Sequence, residues 1–210
     1  MPKETVLITG ASSGIGLELA KLFAADRSDL VLVARRKDLL ENLAGEIGQE
    51  YGVSVRVLAK DLADPTAPVA IFDELAADGV QVDVLVNNAG FGAVGDFVQL
   101  PIQRQMDMLQ VNVTALTHLT GLFLPPMVER GRGGILNVGS TAGFQPSPYM
   151  AVYYATKAYV LSFTEALAEE MEGKGIHVTC LAPGATNTGF AAEAKMLDSP
   201  LFRSGSMDVR

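Results

Sequence analysis

Six short apolar runs rich in β-branched residues recur along the chain, at residues 5–9, 29–34, 53–59, 82–87, 134–139 and 177–182. They are continuously apolar rather than alternating, which predicts strands covered on both faces. Between them, apolar residues return at helical spacing, most clearly over 15–25, 39–47 and 153–171. This alternation predicts an α/β fold: a doubly wound, Rossmann-like parallel sheet of about six strands with helices on both faces. The most apolar stretch, 109–128, is interrupted by Gln110, Asn112, His118 and Pro125-Pro126, so it reads as a buried helix and not a membrane span. No repeat, low-complexity tract or linker breaks the series, and 210 residues fit a single domain, 1–210. In such sheets ligands bind beyond the carboxyl ends of the strands, where strand order reverses. The residues that follow each strand therefore carry the functional argument.

Composition narrows the partners. There are 24 acidic and 16 basic residues, a net charge of −8, with no clustered basic surplus to track a phosphate backbone. Nucleic acid is not an expected partner. A single cysteine, Cys180, allows no intramolecular disulfide and fits a reducing compartment. The apolar run Val6-Leu7-Ile8 is too short for a signal peptide, so the expected location is cytoplasmic. His118 and His177 lack cysteine or carboxylate partners at ligand spacing, and no metal is expected.

The first strand runs into Thr9-Gly10-Ala11-Ser12-Ser13-Gly14-Ile15-Gly16 and then a helix. Gly10 permits a tight turn, Gly14 lets backbone approach a phosphate, and Gly16 lets the helix pack close to the strand. Ser12, Ser13 and Ile15 lie in the same loop, whose N–H groups face a ligand at the positive end of the helix dipole. A dinucleotide is the expected occupant. NAD-binding folds place an acidic residue after the second strand to hold the ribose 2′-hydroxyl. This chain has Arg35-Arg36 there, and two guanidinium groups suit a 2′-phosphate, so NADP is expected over NAD.

Of the five tyrosines only Tyr153 has a lysine four residues on, Lys157, and i, i+4 residues share one helical face. A free phenol titrates near pH ~10, too high for a base near neutrality. A neighbouring ammonium and an oxidised nicotinamide would favour the phenolate. Tyr153 could then exchange a proton with a substrate oxygen while hydride moves.

The glycine loop, Asn87-Asn88-Ala89-Gly90 and Tyr153-Tyr154-Ala155-Thr156-Lys157 together resemble the short-chain dehydrogenase/reductases over residues 5 to about 190. The resemblance implies an oxidoreductase that interconverts a carbonyl and an alcohol, with Tyr153 as general acid/base. It implies that Ser140, thirteen residues before Tyr153, hydrogen-bonds the substrate oxygen, with Thr141 as the neighbouring alternative. It gives Lys157 the nicotinamide ribose, and Asn112 a water that links Lys157 to solvent. Around the cofactor it assigns Asp61-Leu62 to the adenine and the backbone of Asn88, Ala89 and Gly90 to the floor. Pro183, Gly184 and Thr188 match the segment that grips the carboxamide. A catalytically idle dinucleotide sensor or scaffold is the alternative, but such a protein would be free to lose Tyr153, Lys157, Ser140 or Asn112.

Phe91, Phe144, Gln145 and Tyr149 occupy positions that shape the substrate in relatives, and they lean apolar, which suggests an apolar carbonyl or alcohol. The helices over 104–124 and 153–171 look apolar on more than one face, suggesting a homodimer or homotetramer through them. The resemblance also implies a seventh strand. Residues 190–210 hold Ser199, Pro200, Ser204, Gly205 and Ser206 and no apolar run to supply one. The expectation is that 185–210 is a substrate loop or lid, that strand six is an open edge, and that the sequence is a shortened version of a longer chain.

Overall fold

The computed structural model describes residues 3–184 and 186. Among these, six parallel strands form one sheet: β1 (Thr5–Thr9), β2 (Asp29–Ala34), β3 (Val55–Ala59), β4 (Val84–Asn87), β5 (Gly133–Val138) and β6 (Ile176–Leu181). Their order is β3-β2-β1-β4-β5-β6, so the chain winds outward from β1 in one direction, then returns and winds in the other. The reversal falls between β1 and β4, which pair Val6↔Val84 and Ile8↔Val86. That is the crevice where open α/β sheets bind ligands.

Strand alternation divides the core into two layers. Val6, Ile8, Leu30 and Leu32 face α1 (Gly14–Ala25) and α2 (Lys37–Tyr51), burying Ala20, Ala24, Leu40, Leu43 and Ile47. Leu7, Val31, Val33, Leu85 and Ile135 face the other way, against α3 (Ala67–Ala77), α5 (Leu116–Arg130) and α6 (Ala151–Glu170). Helix α4 (Ile102–Leu109) passes into α5 through a π-helical turn, Gln110–Ala115, which makes one helical run Ile102–Arg130. By length and composition that run could cross a membrane, yet its Val111, Ala115, Leu119, Phe123 and Met127 belong to the core against the sheet. Pro125 and Pro126 lie within α5 and do not end it.

The strand ends differ from the sequence expectation for physical reasons. Helix α2 extends to Tyr51 and turns through Gly52, so Val53 is buried in the connection and β3 starts at Val55. Strand β4 starts at Val84, but Asp83 already bonds to both neighbours, its N–H donating to Thr5 O and its O accepting Gly134 N–H (both 2.9 Å), while its buried carboxylate accepts Thr5 N–H (3.1 Å) and Gln81 Nε2–H (3.0 Å). The expectation of cover on both faces holds for the central strands but fails for β3 and β6, where exposed and buried positions mix. Both lie at the edges of the sheet described here. The segment 187–210, including Thr188, lies outside the described residues.

Candidate active site

A cavity of about 780 Å³ opens at the carboxyl ends of the strands. One wall is the β1–α1 loop. Gly10 and Gly14 are in the left-handed region (φ 66° and 58°), which side-chain-bearing residues reach only at a cost. Gly16 does not line the cavity: a Cβ there would run into Gly10 O and Asn88 Nδ2. Asn88 locks this loop to the end of β4, since its Nδ2 donates to Thr9 O (2.8 Å) and Gly10 O (3.2 Å). The Thr9 hydroxyl in turn accepts the N–H groups of Asn88 and Ala89, both at 3.0 Å. Beside the loop, Arg36 Nη2 donates to the hydroxyls of Ser12 (3.2 Å) and Ser13 (3.4 Å), holding its cation at the loop mouth. Arg35 lines the same end, as do Asp61 and Leu62 after β3. Two guanidinium groups, two hydroxyls and a helix N-terminus are a donor set for a dinucleotide phosphate.

The opposite wall is built from side chains of α6 and the end of β5. Tyr153 and Lys157 are buried on one face of α6, and Lys157 Nζ lies 5.9 Å from the Tyr153 ring centroid. Lys157 Nζ donates to Val138 O at 2.7 Å. Ser140 follows β5, accepts Ala142 N–H (3.1 Å) at the start of a 3₁₀ turn, and hydrogen-bonds the Tyr153 phenol. Tyr154 packs edge-on against Tyr153 and also lines the cavity. Asn112 sits behind the floor and not on it. In the π-helical turn its Oδ1 accepts Phe91 N–H (3.1 Å), and its Nδ2 donates to Phe91 O (3.0 Å) and to Thr156 Oγ1 (3.1 Å). Between the walls lie Asn88, Ala89 and Gly90; a Cβ on Gly90 would be 3.2 Å from Asn112 Oδ1 and 3.6 Å from Lys157 Nζ. Pro183 and Gly184 close the far side.

The model of the family described as short chain dehydrogenase matches residues 4–197. The chain belongs to the short-chain dehydrogenase family. It is 37% identical over 179 residues to a very-long-chain 3-oxoacyl-CoA reductase of Phaeosphaeria nodorum, covering 83% of this chain and 52% of that one. The chain thus spans about half the length of curated relatives of this kind. Among solved structures, a short-chain dehydrogenase from Sphingobium yanoikuyae in complex with NADPH superposes with a TM-score of 0.91. The two are 40% identical, and the match covers 98% of this chain and 79% of that one. The bulky-bulky ketone specific alcohol dehydrogenase from Comamonas testosteroni gives 0.87 at 36% identity, covering 100% and 79%.

The sequence expectation joined the Lys157 ammonium to an oxidised nicotinamide; in the protein alone, burial outweighs the ammonium at Tyr153. Burial pushes Tyr153 up to about 12, and the Ser140 hydrogen bond offsets only part of that. Burial likewise holds Lys157 down to about 8. Both groups are out of water, so burial shifts each toward its neutral form, although Lys157 at about 8 is still mainly the ammonium near pH ~7.

Sequence reasoning missed several residues at the site. Thr156, buried between Tyr153 and Lys157 in the sequence, donates to Tyr153 O (2.7 Å) and accepts from Asn112, tying α6 to the π-helical turn. Arg104 and Asp107 line the cavity from α4, with the Arg104 guanidinium 5.1 Å from the Phe91 ring centroid. Their i, i+3 spacing, continued by Val111, was the available signal. Of the four positions read as substrate-shaping, Phe91 and Gln145 line the cavity, whereas Phe144 and Tyr149 are largely exposed.

Proposed function

We propose that this protein is an NADP-dependent oxidoreductase that interconverts a ketone and a secondary alcohol, with Tyr153 exchanging the proton at the substrate oxygen. The observation that carries this reading is a buried phenol, hydrogen-bonded to Ser140, in a cavity whose opposite end is lined by Arg35 and Arg36. When bound, NADPH supplies the hydride. Arg35 and Arg36 would hold its 2′-phosphate, and the N–H groups and hydroxyls of residues 10–16 its diphosphate. Asp61 and Leu62 would meet the adenine, Pro183 and Gly184 the carboxamide, and Lys157 the nicotinamide ribose.

With its ordinary value raised to about 12, the Tyr153 phenol stays protonated at neutral pH. It is thereby ready to donate to a carbonyl oxygen as negative charge develops there. Ser140 supplies a second hydrogen bond to that oxygen. Asn112 and Thr156 act behind them, fixing α6 against the backbone of Phe91. In the direction of alcohol oxidation, Tyr153 would take the proton from the substrate hydroxyl as phenolate, a form that a bound oxidised nicotinamide would favour. Phe91, Met150 and Tyr154 along the cavity favour an apolar substrate. The names of the Comamonas testosteroni alcohol dehydrogenase and the 3-oxoacyl-CoA reductases point to ketones with large substituents.

Loss of NADPH absorbance against a panel of ketones and aldehydes tests the proposal. Turnover of apolar ketones is the expected result, and a flat trace across the panel contradicts it. Assembly is a separate proposal. Ile102, Met106 and Leu109 form an exposed apolar stripe on α4, which a second subunit would cover; a dimer or tetramer by light scattering is expected.

A further inference from the structure

At the entry to α6 the protein encloses a second chamber, of about 30 Å³. That is close to the volume one molecule occupies in liquid water. Gln105 lines it from α4, and Ala151 and Val152 line it from the first turn of α6. The Gln105 side chain is buried. Its Nε2 donates to Phe97 O and Leu100 O, both at 3.2 Å, and those two carbonyls fix which way the amide is turned. Its Oε1 is buried with no partner among the described residues. Such an oxygen has lost its hydration with nothing in return.

The α6 side of the chamber brings the complementary groups. The first N–H groups of a helix have no partner within it. Met150, at the N-cap, offers them no side-chain acceptor. The nearby backbone oxygens are committed elsewhere: Tyr149, left-handed at φ 63°, gives its carbonyl to Gly95 N–H (2.9 Å), and Met150 O accepts Tyr154 N–H (3.1 Å). An uncapped set of donors and an orphaned acceptor thus share one small space. Their demands select the occupant. An anion would suit the N–H groups but meet the Gln105 oxygen, and a cation would suit that oxygen but meet the positive end of the helix dipole. An apolar group satisfies neither side, whereas water donates and accepts at once. We propose that the chamber is a binding site for a single water molecule, which donates to Gln105 Oε1 and accepts a first-turn N–H of α6. Gln105 then caps the helix that carries Tyr153, acting through that water. Met150 and Tyr153 line both this chamber and the main cavity, so the capped turn is a wall of both. Gln105 does not line the main cavity, and it is a positioning residue. The water site stands by itself; its effect on Tyr153 rests on the reductase reading above.

Water–amide NOE spectra of the nitrogen-labelled protein test it in wild type, Gln105→Met and Ala93→Val. Gln105→Met removes the acceptor at similar length. Ala93→Val fills the chamber, which Ala93 lines, and spares the Gln105 bonds to Phe97 O and Leu100 O. A cross-peak from a long-lived water at the Ala151 or Val152 amide is expected in wild type and should be lost in both variants. In both, kcat per folded molecule should fall at least about tenfold, with KM for NADPH within about twofold of wild type. A dry chamber in wild type, or a cross-peak that either variant keeps, overturns the site. A lost cross-peak with unchanged kcat overturns the positioning of Tyr153. If neither variant folds, the wild-type spectrum decides alone. A bound-water cross-peak without turnover of any ketone supports the site and contradicts only the reductase reading.

Discussion

The two ends of the cavity are made of different materials. The glycine-loop end is built from backbone and exposed cations: Gly10, Gly14, Ser12, Ser13, Arg35 and Arg36. The α6 end is built from buried side chains, with Asn112, Lys157 and Tyr153 at 1%, 6% and 8% exposure. Burial costs a polar group its hydration, and the second set recovers hydrogen bonds inside the protein: Lys157 to Val138 O, Asn112 to Phe91 and Thr156, and Tyr153 to Ser140. The first set remains hydrated and is free to give its hydrogen bonds to a ligand. Changes at the first end should therefore alter affinity, and changes at the second should alter chemistry and stability together.

The largest effect is expected at Tyr153. Tyr153→Phe removes the proposed proton donor and keeps the ring packed against Tyr154, so turnover should fall by at least about a hundredfold. NADPH affinity, measured by cofactor fluorescence, should stay close to wild type.

Lys157 sharpens the comparison through pH. Its folded value of about 8 lies below the ordinary 10.5. Between those values the unfolded chain holds a proton that the folded one lacks, so stability rises with pH there; below about 8 the full cost of burying the ammonium is present. Denaturant titrations should show a gain of about 2.5 kcal/mol from pH 7 to pH 10 in wild type relative to Lys157→Met. Parallel pH profiles for the two would mean that the ammonium is not desolvated.

Asn112→Ala strands three partners at once: Phe91 N–H, Phe91 O and Thr156. A loss of about 2 kcal/mol in urea unfolding is expected. Thr156→Val, which loses the bonds to Asn112 and Tyr153 O, should reproduce part of it. The smallest effect belongs to the exposed end. Arg36→Ala should weaken NADPH about tenfold more than NADH, with melting temperature unchanged; equal losses for the two cofactors would make Arg36 a surface charge only.

The same contrast explains what could be read from the sequence. The glycine loop was legible because Gly10, Gly14 and Gly16 each answer a local demand of turn or packing. Tyr153 and Lys157 were legible because i, i+4 spacing alone puts them on one face. The six strands, and hence the crevice between β1 and β4, followed from apolar runs. Thr156 was not legible, since its function depends on Asn112, 44 positions away. The raised phenol was missed because the sequence shows charge but not burial. The left-handed Tyr149 was invisible for a simpler reason: sequence advertises that conformation through glycine, and here the residue is aromatic.

The division between the two ends can be tested in one experiment: kcat at saturating NADPH, with NADPH affinity measured alongside, for Arg35→Ala/Arg36→Ala and Tyr153→Phe. The arginine variant should bind NADPH more weakly and recover near-wild-type kcat once saturated. The tyrosine variant should bind NADPH normally and lose at least about a hundredfold in kcat at every concentration. Near-normal kcat in Tyr153→Phe, or a kcat in the arginine variant that saturation does not restore, would contradict the account.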